Sequence, residues 1–460
     1  MTQHPERTRD ALDELREAHR EVRVPLPFVS PLSQEDLADV VATPFPVERL
    51  TEEQKGVFDK VLSWLDVATT RKFLQNPSRT LQVTSIGGYA GTGKSTLVAV
   101  LGQALERAGM HPLYLSYTGK AVNVLRKKLR EAGLEHIPAR TVHSSIYRTV
   151  LEDDGRVSGF RLLPAATLED YDVLVLDEAS MIDEKMFTDL LSFGRPILAV
   201  GDHGQLPPVQ GMGSLMRNPQ HRLETVHRQA VDNPILDLAT RVRLQGRIPP
   251  DFEPRDERVT LLDRKNLVPA LHKAWEQYGP EEVVILTYTN ANRCHFNRVA
   301  QQQLYGNPGT LQKGSIVINL RNHENVLFNG MRGRVTSVAE GTYEHRWRHA
   351  SVLFADDLLQ VDGHLFEPQL NRAAAFESLA DIEQLAGHRL HRVAGKPWAH
   401  AGLFFDFGYA LTVHKSQGSS FKHVFLHLDI PPAARGDGDN YRRWLYTAVT
   451  RSSEKLTVFL

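Results

Sequence analysis

The sequence predicts an α/β fold with two parallel-sheet domains, and three observations lead to this prediction. The chain has 460 residues, and because single hydrophobic cores stop growing beyond about 250 to 300 residues, one compact core is excluded. Its composition, 41% hydrophobic and 24% charged, is that of a folding globular chain rather than a disordered one. Strand-like runs alternate with helical ones in two separate series, which is typical of parallel sheets covered by helices.

Residues 1–49 are predicted to form an accessory arm. Leu12, Leu15 and Val22 fit one helical face, which the prolines at 25, 27 and 31 then break. At Thr51 the run Thr-Glu-Glu-Gln54 has the pattern of a capping box. It predicts the start of a helix and of the first globular domain, residues 50–215.

The first domain contains four strand-like runs separated by helical ones. Strands are predicted at 81–86, 112–117, 173–176 and 197–200, and helices from Lys94 and from Lys120. Residues 146–165 interrupt this alternation, because an Asp154-Gly155 turn lies there between short β-prone runs. They predict an inserted β-hairpin.

The second series predicts a second domain made of residues 216–305 and 403–460. Its strands are predicted at 259–262, 283–287, 409–412, 424–428 and 456–460, with a helix around 271–278. Residues 306–402 separate its two halves and are rich in β-branched residues and turns, such as Asn329-Gly330. They predict a small inserted β domain.

Charge and cysteine content exclude several classes of function. The 54 basic and 55 acidic residues give a net charge of −1, so nucleic acid or an anionic membrane would have to bind a local patch. Cys294 is the only cysteine, which excludes an internal disulfide and a cysteine-rich metal site and suits a reducing compartment. The first twenty residues carry acids without an apolar core, and no run is long enough to span a bilayer. We therefore expect a cytoplasmic protein that does not use a membrane.

The run Gly88-Tyr-Ala-Gly-Thr-Gly-Lys94-Ser95 has the spacing of a phosphate-binding loop between a strand and a helix. Its glycines let backbone N–H groups face phosphates, Lys94 can reach the β- and γ-phosphates, and Ser95 can ligate magnesium. The prediction is a site for ATP and Mg²⁺. Its nucleotide-binding residues are Gly88, Gly91, Thr92, Gly93, Lys94, Ser95 and Thr96.

Two carboxylates, Asp177 and Glu178, end the apolar run Val173-Leu-Val-Leu. At the carboxyl edge of a parallel sheet, Asp177 can hold the magnesium and Glu178 can act as the base that orients the attacking water. Strand ends also carry acids simply because they face solvent. The acidic pair therefore indicates a catalytic site only in combination with the phosphate-binding loop. The chain has no His-Glu-x-x-His or cysteine–histidine spacing that would support a structural metal.

Further short runs follow in a fixed order: Asp177-Glu-Ala-Ser180, Gly201-Asp-His-Gly-Gln205-Leu-Pro-Pro208, Val226-His-Arg228-Gln, Thr412-Val-His-Lys-Ser-Gln-Gly418 and Tyr446-Thr-Ala-Val-Thr-Arg451. As an ordered set they resemble the superfamily 1 helicases of the RecD-like and Dda-like branch, over residues 50–305 and 403–460. The resemblance implies two RecA-like domains, a strand-separating pin in the hairpin and an SH3-like β-barrel in the 306–402 insertion. One departure is Ser420, where many relatives carry an acidic residue, so ribose recognition at that position is not implied.

The resemblance also implies roles at the nucleotide. Gln54 matches the glutamine that reads adenine, and Gln205 matches the γ-phosphate sensor. Arg228 and Arg451 match two arginines that the second domain directs at the γ-phosphate, where a planar guanidinium stabilises transition-state charge. Gly418 belongs to the implied nucleotide site. The alternatives are a solvated helix residue for Gln54, a turn residue for Gln205 and a surface ion pair for either arginine.

Single-stranded DNA is implied to cross both domains. The matching positions carry hydroxyl, amide, imidazole or ammonium groups, which suit phosphate contacts that do not read sequence; they are Thr118, Lys120, His143, Asn290, His414 and Lys415. Each of them could instead be an ordinary polar surface residue. In the hairpin, Phe160 could stack against the terminal base pair, or it could pack the hairpin onto its own domain.

These observations predict a monomeric ATP-dependent DNA helicase that moves 5′ to 3′ on single-stranded DNA, with the polarity taken wholly from the resemblance. Expected partners are single-stranded DNA, duplex junctions and a single-strand-binding or replication/repair protein. Two alternatives stay open: an ATP-driven translocase that displaces bound proteins or moves on RNA with little unwinding, and a nucleotide-gated DNA-binding subunit whose motor has lapsed. The sequence contains no separate nuclease constellation, so nuclease activity would need a partner.

Overall fold

The computed structural model describes residues 49–69, 82–151, 157–208, 215–226, 232–249, 252–307, 309–320, 330–340, 347–354, 359–366, 405–428 and 438–459. The predicted arm, apart from Arg49, lies outside the described residues, and so does the predicted Asp154-Gly155 turn. Among the described helices, none combines the length and the apolarity that crossing a bilayer requires.

The first domain is built on a six-stranded sheet in which every strand pair is parallel. Its strands in spatial order are β3 (Ala139–Thr141), β2 (Pro112–Ser116), β6 (Val173–Asp177), β7 (Ile197–Gly201), β1 (Val83–Gly88) and β8 (His221–Leu223). The four predicted strands are confirmed to within about two residues at each end. The pattern missed β3 and β8 because three residues carry too little periodicity, and β8 extends this sheet beyond the predicted domain end at 215.

Helices flank this sheet: α1 (Glu52–Ala68), α2 (Lys94–Arg107), α3 (Gly119–Glu131), α4 (Val142–Ile146) and α5 (Glu184–Leu191). The capping box predicted for α1 is confirmed. The Gln54 N–H donates to Thr51 Oγ1 at 3.3 Å, and the Thr51 N–H donates to Gln54 Oε1 at 2.9 Å. These two bonds satisfy backbone donors that a helix start otherwise leaves unpaired.

The second domain has a five-stranded sheet, also parallel throughout. Its strands in spatial order are β16 (Ala410–Thr412), β10 (Val283–Thr287), β17 (Phe421–His427), β18 (Ser452–Phe459) and β9 (Val259–Leu262). Its helices are α6 (Pro234–Gln245), α7 (Leu267–Tyr278), α8 (Asn290–Tyr305), α9 (Val413–Ser416) and α10 (Gly438–Val449). Two parallel-sheet domains are therefore present, as the sequence predicts.

The insertion contributes an antiparallel sheet to the fold. Its strands in spatial order are β14 (Leu359–Phe366), β13 (Trp347–Phe354), β12 (Arg332–Val338), β11 (Ile316–Asn319) and β15 (Phe405–Phe407). The sequence assigned residues from 403 onward to the second domain, but β15 pairs with β11 and belongs to this sheet. A separate antiparallel pair, β4 (Tyr147–Leu151) and β5 (Val157–Leu162), lies where the hairpin was predicted.

Apolar cores join these parts. One core links the second parallel sheet to the antiparallel sheet, and it includes Ile285, Val335 and Phe405. Another core belongs mainly to the second domain but reaches Leu206 and the half-buried Tyr89 of the first domain. The two domains therefore meet in a packed interface beside the loop that follows β1.

Candidate functional site

Three loops of the first domain meet at one edge of its sheet. The loops follow β1, β6 and β7, and these strands are neighbours in the order β6, β7, β1. Because the strands are parallel and in register, their carboxyl ends lie side by side. This edge is where open α/β sheets bind ligands. The sequence predictions for the phosphate-binding loop, the acidic pair and Gln205 all fall there.

The phosphate-binding loop has a left-handed backbone at Gly91 (φ 82°) and Gly93 (φ 74°), a conformation that glycine adopts without strain. A side chain at Gly88 would come within 2.6 Å of Thr92 Oγ1. The Lys94 ammonium donates to the carbonyl of Gly88 at 2.5 Å and to that of Tyr89 at 2.9 Å. The ammonium is thus held by carbonyls of its own loop, and its contact with a phosphate stays a prediction.

The side chain of Gln54 is buried, with 2% of its surface exposed. Its Nε2 donates to the Thr92 carbonyl at 3.1 Å and to the Gly93 carbonyl at 3.2 Å. The alternative of a solvated helix residue is therefore wrong. Gln54 braces the phosphate-binding loop against α1, and its implied contact with adenine stays a prediction.

Asp177 is surrounded by groups that hold its carboxylate in place. Its Oδ1 accepts the N–H of Glu178 at 3.0 Å, and its Oδ2 lies 3.7 Å from Nζ of Lys128. Asp177 and Ser95 line the same small cavity of about 10 Å³, together with Lys128 and four apolar side chains. A hydroxyl and a carboxylate are hard oxygen donors of the kind that Mg²⁺ prefers. The residues present fit a magnesium ion.

Glu178 has the one positive φ among the described non-glycine residues, with φ 54° and ψ 39°. This left-handed backbone costs about 1–2 kcal/mol, and strain of this kind clusters at functional sites. The pKa of Glu178 is raised above the ordinary glutamate value. Burial and the neighbouring Asp177 carboxylate raise it, and the positive charges of Arg451, Lys128 and Lys94 offset part of the rise. A carboxylate whose pKa is raised accepts a proton more readily.

Gln205 is buried, with 6% of its surface exposed. Its Nε2 lies 3.4 Å from Oδ2 of Asp202, and Asp202 Oδ1 accepts the N–H of Gly204 at 2.9 Å. The Gln205 Oε1 is buried and has no hydrogen-bond partner within the described part of the chain. The alternative of an ordinary turn residue does not account for a buried amide with one unused acceptor.

The second domain contributes Arg451, which follows α10 and is only 6% exposed. Its guanidinium donates to the carbonyls of Thr447 and Ser419, each at 3.1 Å. Its third nitrogen, Nη2, donates to Thr450 Oγ1 at 3.3 Å. Because the guanidinium is buried and bonded within its own domain, a surface ion pair does not describe it, and its implied contact with a γ-phosphate stays a prediction. Arg228, the other predicted arginine, lies outside the described residues.

Residues predicted to contact DNA lie on both domains. Thr118 caps the start of α3, and Gly418, with φ 69°, lies against it, because a side chain at Gly418 would come within 3.2 Å of Thr118 Oγ1. The structure thus brings Gly418, predicted for the nucleotide, next to a residue predicted for the strand. Lys120 lies in α3, but its side chain is outside the described part.

The remaining positions on the second domain start two of its helices. Asn290 is exposed at the start of α8, and its Oδ1 accepts a hydrogen bond from Nε of Arg293 at 3.1 Å. Arg293 in turn forms a buried ion pair with Asp406 of β15 at 2.6 Å. Lys415 is exposed in α9, next to the half-buried His414. The ion pair ties a predicted DNA contact to the inserted sheet.

An aromatic cluster lies at the base of the hairpin. The His143 ring centroid is 5.5 Å from that of Tyr147 and 5.9 Å from that of Phe160. Phe160 nevertheless keeps 57% of its surface exposed. Burial lowers the pKa of His143. The Phe160 ring thus contacts His143 of its own domain and also keeps more than half of its surface exposed, so its stacking on a terminal base pair stays a prediction.

Sequence reasoning missed several residues of this site. Lys128, Asp202 and the Arg293–Asp406 pair were given no role, although Asp202 lies inside a quoted run. The position of Asp202 inside the run Gly201-Asp-His-Gly-Gln205 could have indicated a role for it. For Lys128 and the ion pair the sequence carries no signal, because their roles arise from contacts across the fold.

Two family models match the chain: an AAA domain over residues 68–273 and a UvrD-like helicase C-terminal domain over residues 407–459. The chain is 27% identical to the ATP-dependent RecD2 DNA helicase of Deinococcus radiodurans, over 88% of this chain and 48% of that protein. It is 31% identical to the ATP-dependent DNA helicase dda of Enterobacteria phage T4, over 42% of each chain. A solved structure of two coordinating Pif1 helicases at forked DNA is similar at a TM-score of 0.49 and 16% identity, over 89% of this chain and 91% of that one. The chain spans about half the length of the curated relatives it matches.

Proposed function

We propose that this chain, which is similar to the RecD2 and dda DNA helicases, is an ATP-dependent DNA helicase that moves 5′ to 3′ along single-stranded DNA. RecD2, matched over 88% of this chain, and dda, matched over 42% of it, are named as DNA helicases. That naming does not favour the alternative of a translocase with little unwinding.

One observation supports the motor most directly. The Tyr446 hydroxyl of the second domain is hydrogen-bonded to the N–H of Ala90 in the phosphate-binding loop and to Asp202 in the loop after β7, and the helix that carries it leads to Arg451. Groups from two domains therefore face one cleft, and a change at the cleft moves one domain relative to the other. A subunit whose motor has lapsed would have no need for the strained backbone of Glu178 at the end of β6.

We infer the following roles at the cleft. Lys94 binds the β- and γ-phosphates, Glu178 orients and deprotonates the attacking water, and Arg451 stabilises charge that develops on the γ-phosphate. Ser95 and Asp177 would hold Mg²⁺, which supplies charge neutralisation between the phosphates. Hydrolysis and product release then allow the two domains to separate, and a new ATP closes them again.

The DNA contacts are the next part of the proposal. We infer that single-stranded DNA crosses Thr118 and His143 on the first domain and Asn290 and Lys415 on the second, because phosphates suit such polar groups. The β4–β5 hairpin would serve as the pin that separates the strands, with Phe160 as its exposed aromatic side chain. The antiparallel sheet would be the SH3-like module of this branch, anchored to the track through β15.

A strand-displacement assay tests the proposal. Duplexes with either a 5′ or a 3′ single-stranded overhang are incubated with ATP, and Lys94→Ala serves as the blank because it lacks the phosphate-binding ammonium. We expect displacement only from the 5′ overhang and none with Lys94→Ala. Unwinding only from the 3′ overhang would refute the polarity. Removal of a bound protein block without strand displacement would establish the translocase instead.

A further inference from the structure

One buried hydroxyl joins the two domains beside the phosphate-binding loop. It belongs to Tyr446 of α10, whose side chain is 1% exposed. The Tyr446 hydroxyl donates to Oδ2 of Asp202 at 2.8 Å and accepts the backbone N–H of Ala90 at 2.8 Å. A single atom of the second domain thus contacts both the phosphate-binding loop and the loop after β7.

The directions of these hydrogen bonds follow from chemistry. An ionised carboxylate only accepts and a backbone N–H only donates, so the hydroxyl proton must point to Asp202. The same Asp202 oxygen lies 3.4 Å from Nε2 of Gln205. Because that oxygen faces the NH₂ end of the amide, the Gln205 oxygen is turned away, buried and unpartnered within the described residues. The hydroxyl therefore helps to fix the position of the carboxylate oxygen that orients the Gln205 amide.

One face of α10, the helix that carries Tyr446, contacts the loop after β7. Thr447 Oγ1 accepts the N–H of Leu206 at 3.0 Å, and Nη1 of Arg443 donates to the His203 carbonyl at 2.7 Å. Residues 443, 446 and 447 share one face because helical neighbours recur every three and four positions. The same helix leads directly to Arg451, so any movement that withdraws Arg451 from the cleft also withdraws Tyr446.

We propose that Tyr446 is a positioning residue for ATP hydrolysis: when the domains close, its hydroxyl binds Asp202 and thereby sets the amide of Gln205. The proposal rests on the proposed ATPase activity but not on strand displacement. In this positioning role, Tyr446 contacts neither the nucleotide nor the reacting atoms. It acts through Asp202, and it makes the γ-phosphate sensor active only in the closed arrangement.

Tyr446→Phe tests this role, because it removes the hydroxyl and keeps the ring. Hydrogen bonds to charged groups are worth enough for about a 10-fold to 100-fold change in rate. We expect kcat for ATP hydrolysis on single-stranded DNA to fall by that factor, while KM for ATP changes less than about twofold. Asp202→Asn should give the same division between kcat and KM, and adding Tyr446→Phe to it should cost little more, since both act through one hydrogen bond.

Tyr409→Phe is the matched control. Its hydroxyl is also buried and bonded, at 2.9 Å to the N–H of Ile316 and at 3.1 Å to Nε2 of Gln301. It should lower the unfolding midpoint about as much as Tyr446→Phe does, with kcat unchanged. The proposal is overturned if Tyr446→Phe leaves kcat intact, raises KM alone, or adds its full effect to Asp202→Asn. Failure of the helicase proposal would look different, because the wild-type protein would then hydrolyse ATP without displacing a strand.

Discussion

Replacing Glu178 by glutamine separates the catalytic value of this residue from its cost to the fold. The substitution keeps the shape of the side chain and removes its ability to take a proton. General bases contribute about 10²-fold to 10⁴-fold to rate, which corresponds to about 3–5 kcal/mol of barrier. We therefore expect kcat for ATP hydrolysis on single-stranded DNA to fall at least about 100-fold.

The same substitution should make the protein more stable at neutral pH. Burial and Asp177 raise the pKa of Glu178 in the folded state, so the folded protein binds the proton more tightly than the unfolded chain does. The wild type then loses stability as the pH rises from the ordinary glutamate value through the raised pKa, by about 1.4 kcal/mol for each unit of the shift. Glutamine does not titrate. The stability advantage of Glu178→Gln over the wild type should therefore be full at pH values above the raised pKa, and it should fade as the pH falls toward the ordinary pKa of glutamate.

Two measurements check these expectations. Steady-state hydrolysis in saturating ATP and single-stranded DNA gives kcat, and urea unfolding at a neutral and a mildly acidic pH gives the stability difference. A Glu178→Gln protein that keeps more than about a tenth of the wild-type kcat would refute the assignment of the base. A stability gain of equal size at both pH values would refute the link to the raised pKa.

Three further predictions concern the strand track and its support. Phe160→Ala should slow strand displacement at least about fivefold while DNA-stimulated ATP hydrolysis persists, since stacking on one base is worth about 1–3 kcal/mol; Leu244→Ala, an apolar side chain that is 70% exposed on α6, is the control and should change neither rate. Lys415→Ala should weaken single-strand binding and reduce the salt dependence of the binding constant by about 0.7 in the log–log slope, measured by fluorescence anisotropy; an equal slope for wild type and variant, or an equal loss with Lys422→Ala, would contradict the assignment. Asp406→Asn should lower the free energy of unfolding by about 3–5 kcal/mol in urea, because the buried Arg293 would lose its carboxylate partner. Asp256→Asn, which breaks the exposed pair with Arg258, should have little effect, and a similar cost for both variants would show that burial of the pair is unimportant.

The phosphate-binding loop and the acidic pair could be predicted from sequence because their chemistry is local. The loop needs glycines, a lysine and a following helix, all within eight residues. Asp177 and Glu178 are marked by the apolar strand they end. Strands such as β10 and β9 were predicted to the residue because β-branched runs bounded by turn residues carry a strong signal.

Other features depend on contacts between distant parts of the chain and leave no local signal. The bond between Tyr446 and Asp202 spans 244 positions of sequence, and the ion pair between Arg293 and Asp406 spans 113. The left-handed backbone of Glu178 is equally invisible, because glutamate gives no sign that the surrounding fold will force it there.

Gln54 has two structural roles, one in the cap of a helix and one in the phosphate-binding loop. Its Oε1 completes the cap of α1, while its Nε2 holds two carbonyls of the phosphate-binding loop. The sequence predicted the cap from local spacing and a nucleotide role from resemblance. Neither prediction included the bonds that Gln54 makes to the loop. These bonds place the residue at the nucleotide loop through the backbone carbonyls of Thr92 and Gly93.

The central claim is that groups from two domains act on one nucleotide, and Arg451→Lys tests it most directly. Lysine keeps the positive charge but loses the planar fork of donors, and arginines in this role contribute about 10³-fold to 10⁵-fold to kcat. The measurement is kcat for ATP hydrolysis on single-stranded DNA, with the unfolding midpoint as the check on folding. A fall of at least about 100-fold at an unchanged KM for ATP is the predicted result; a folded variant with wild-type kcat would show that the second domain takes no part in hydrolysis.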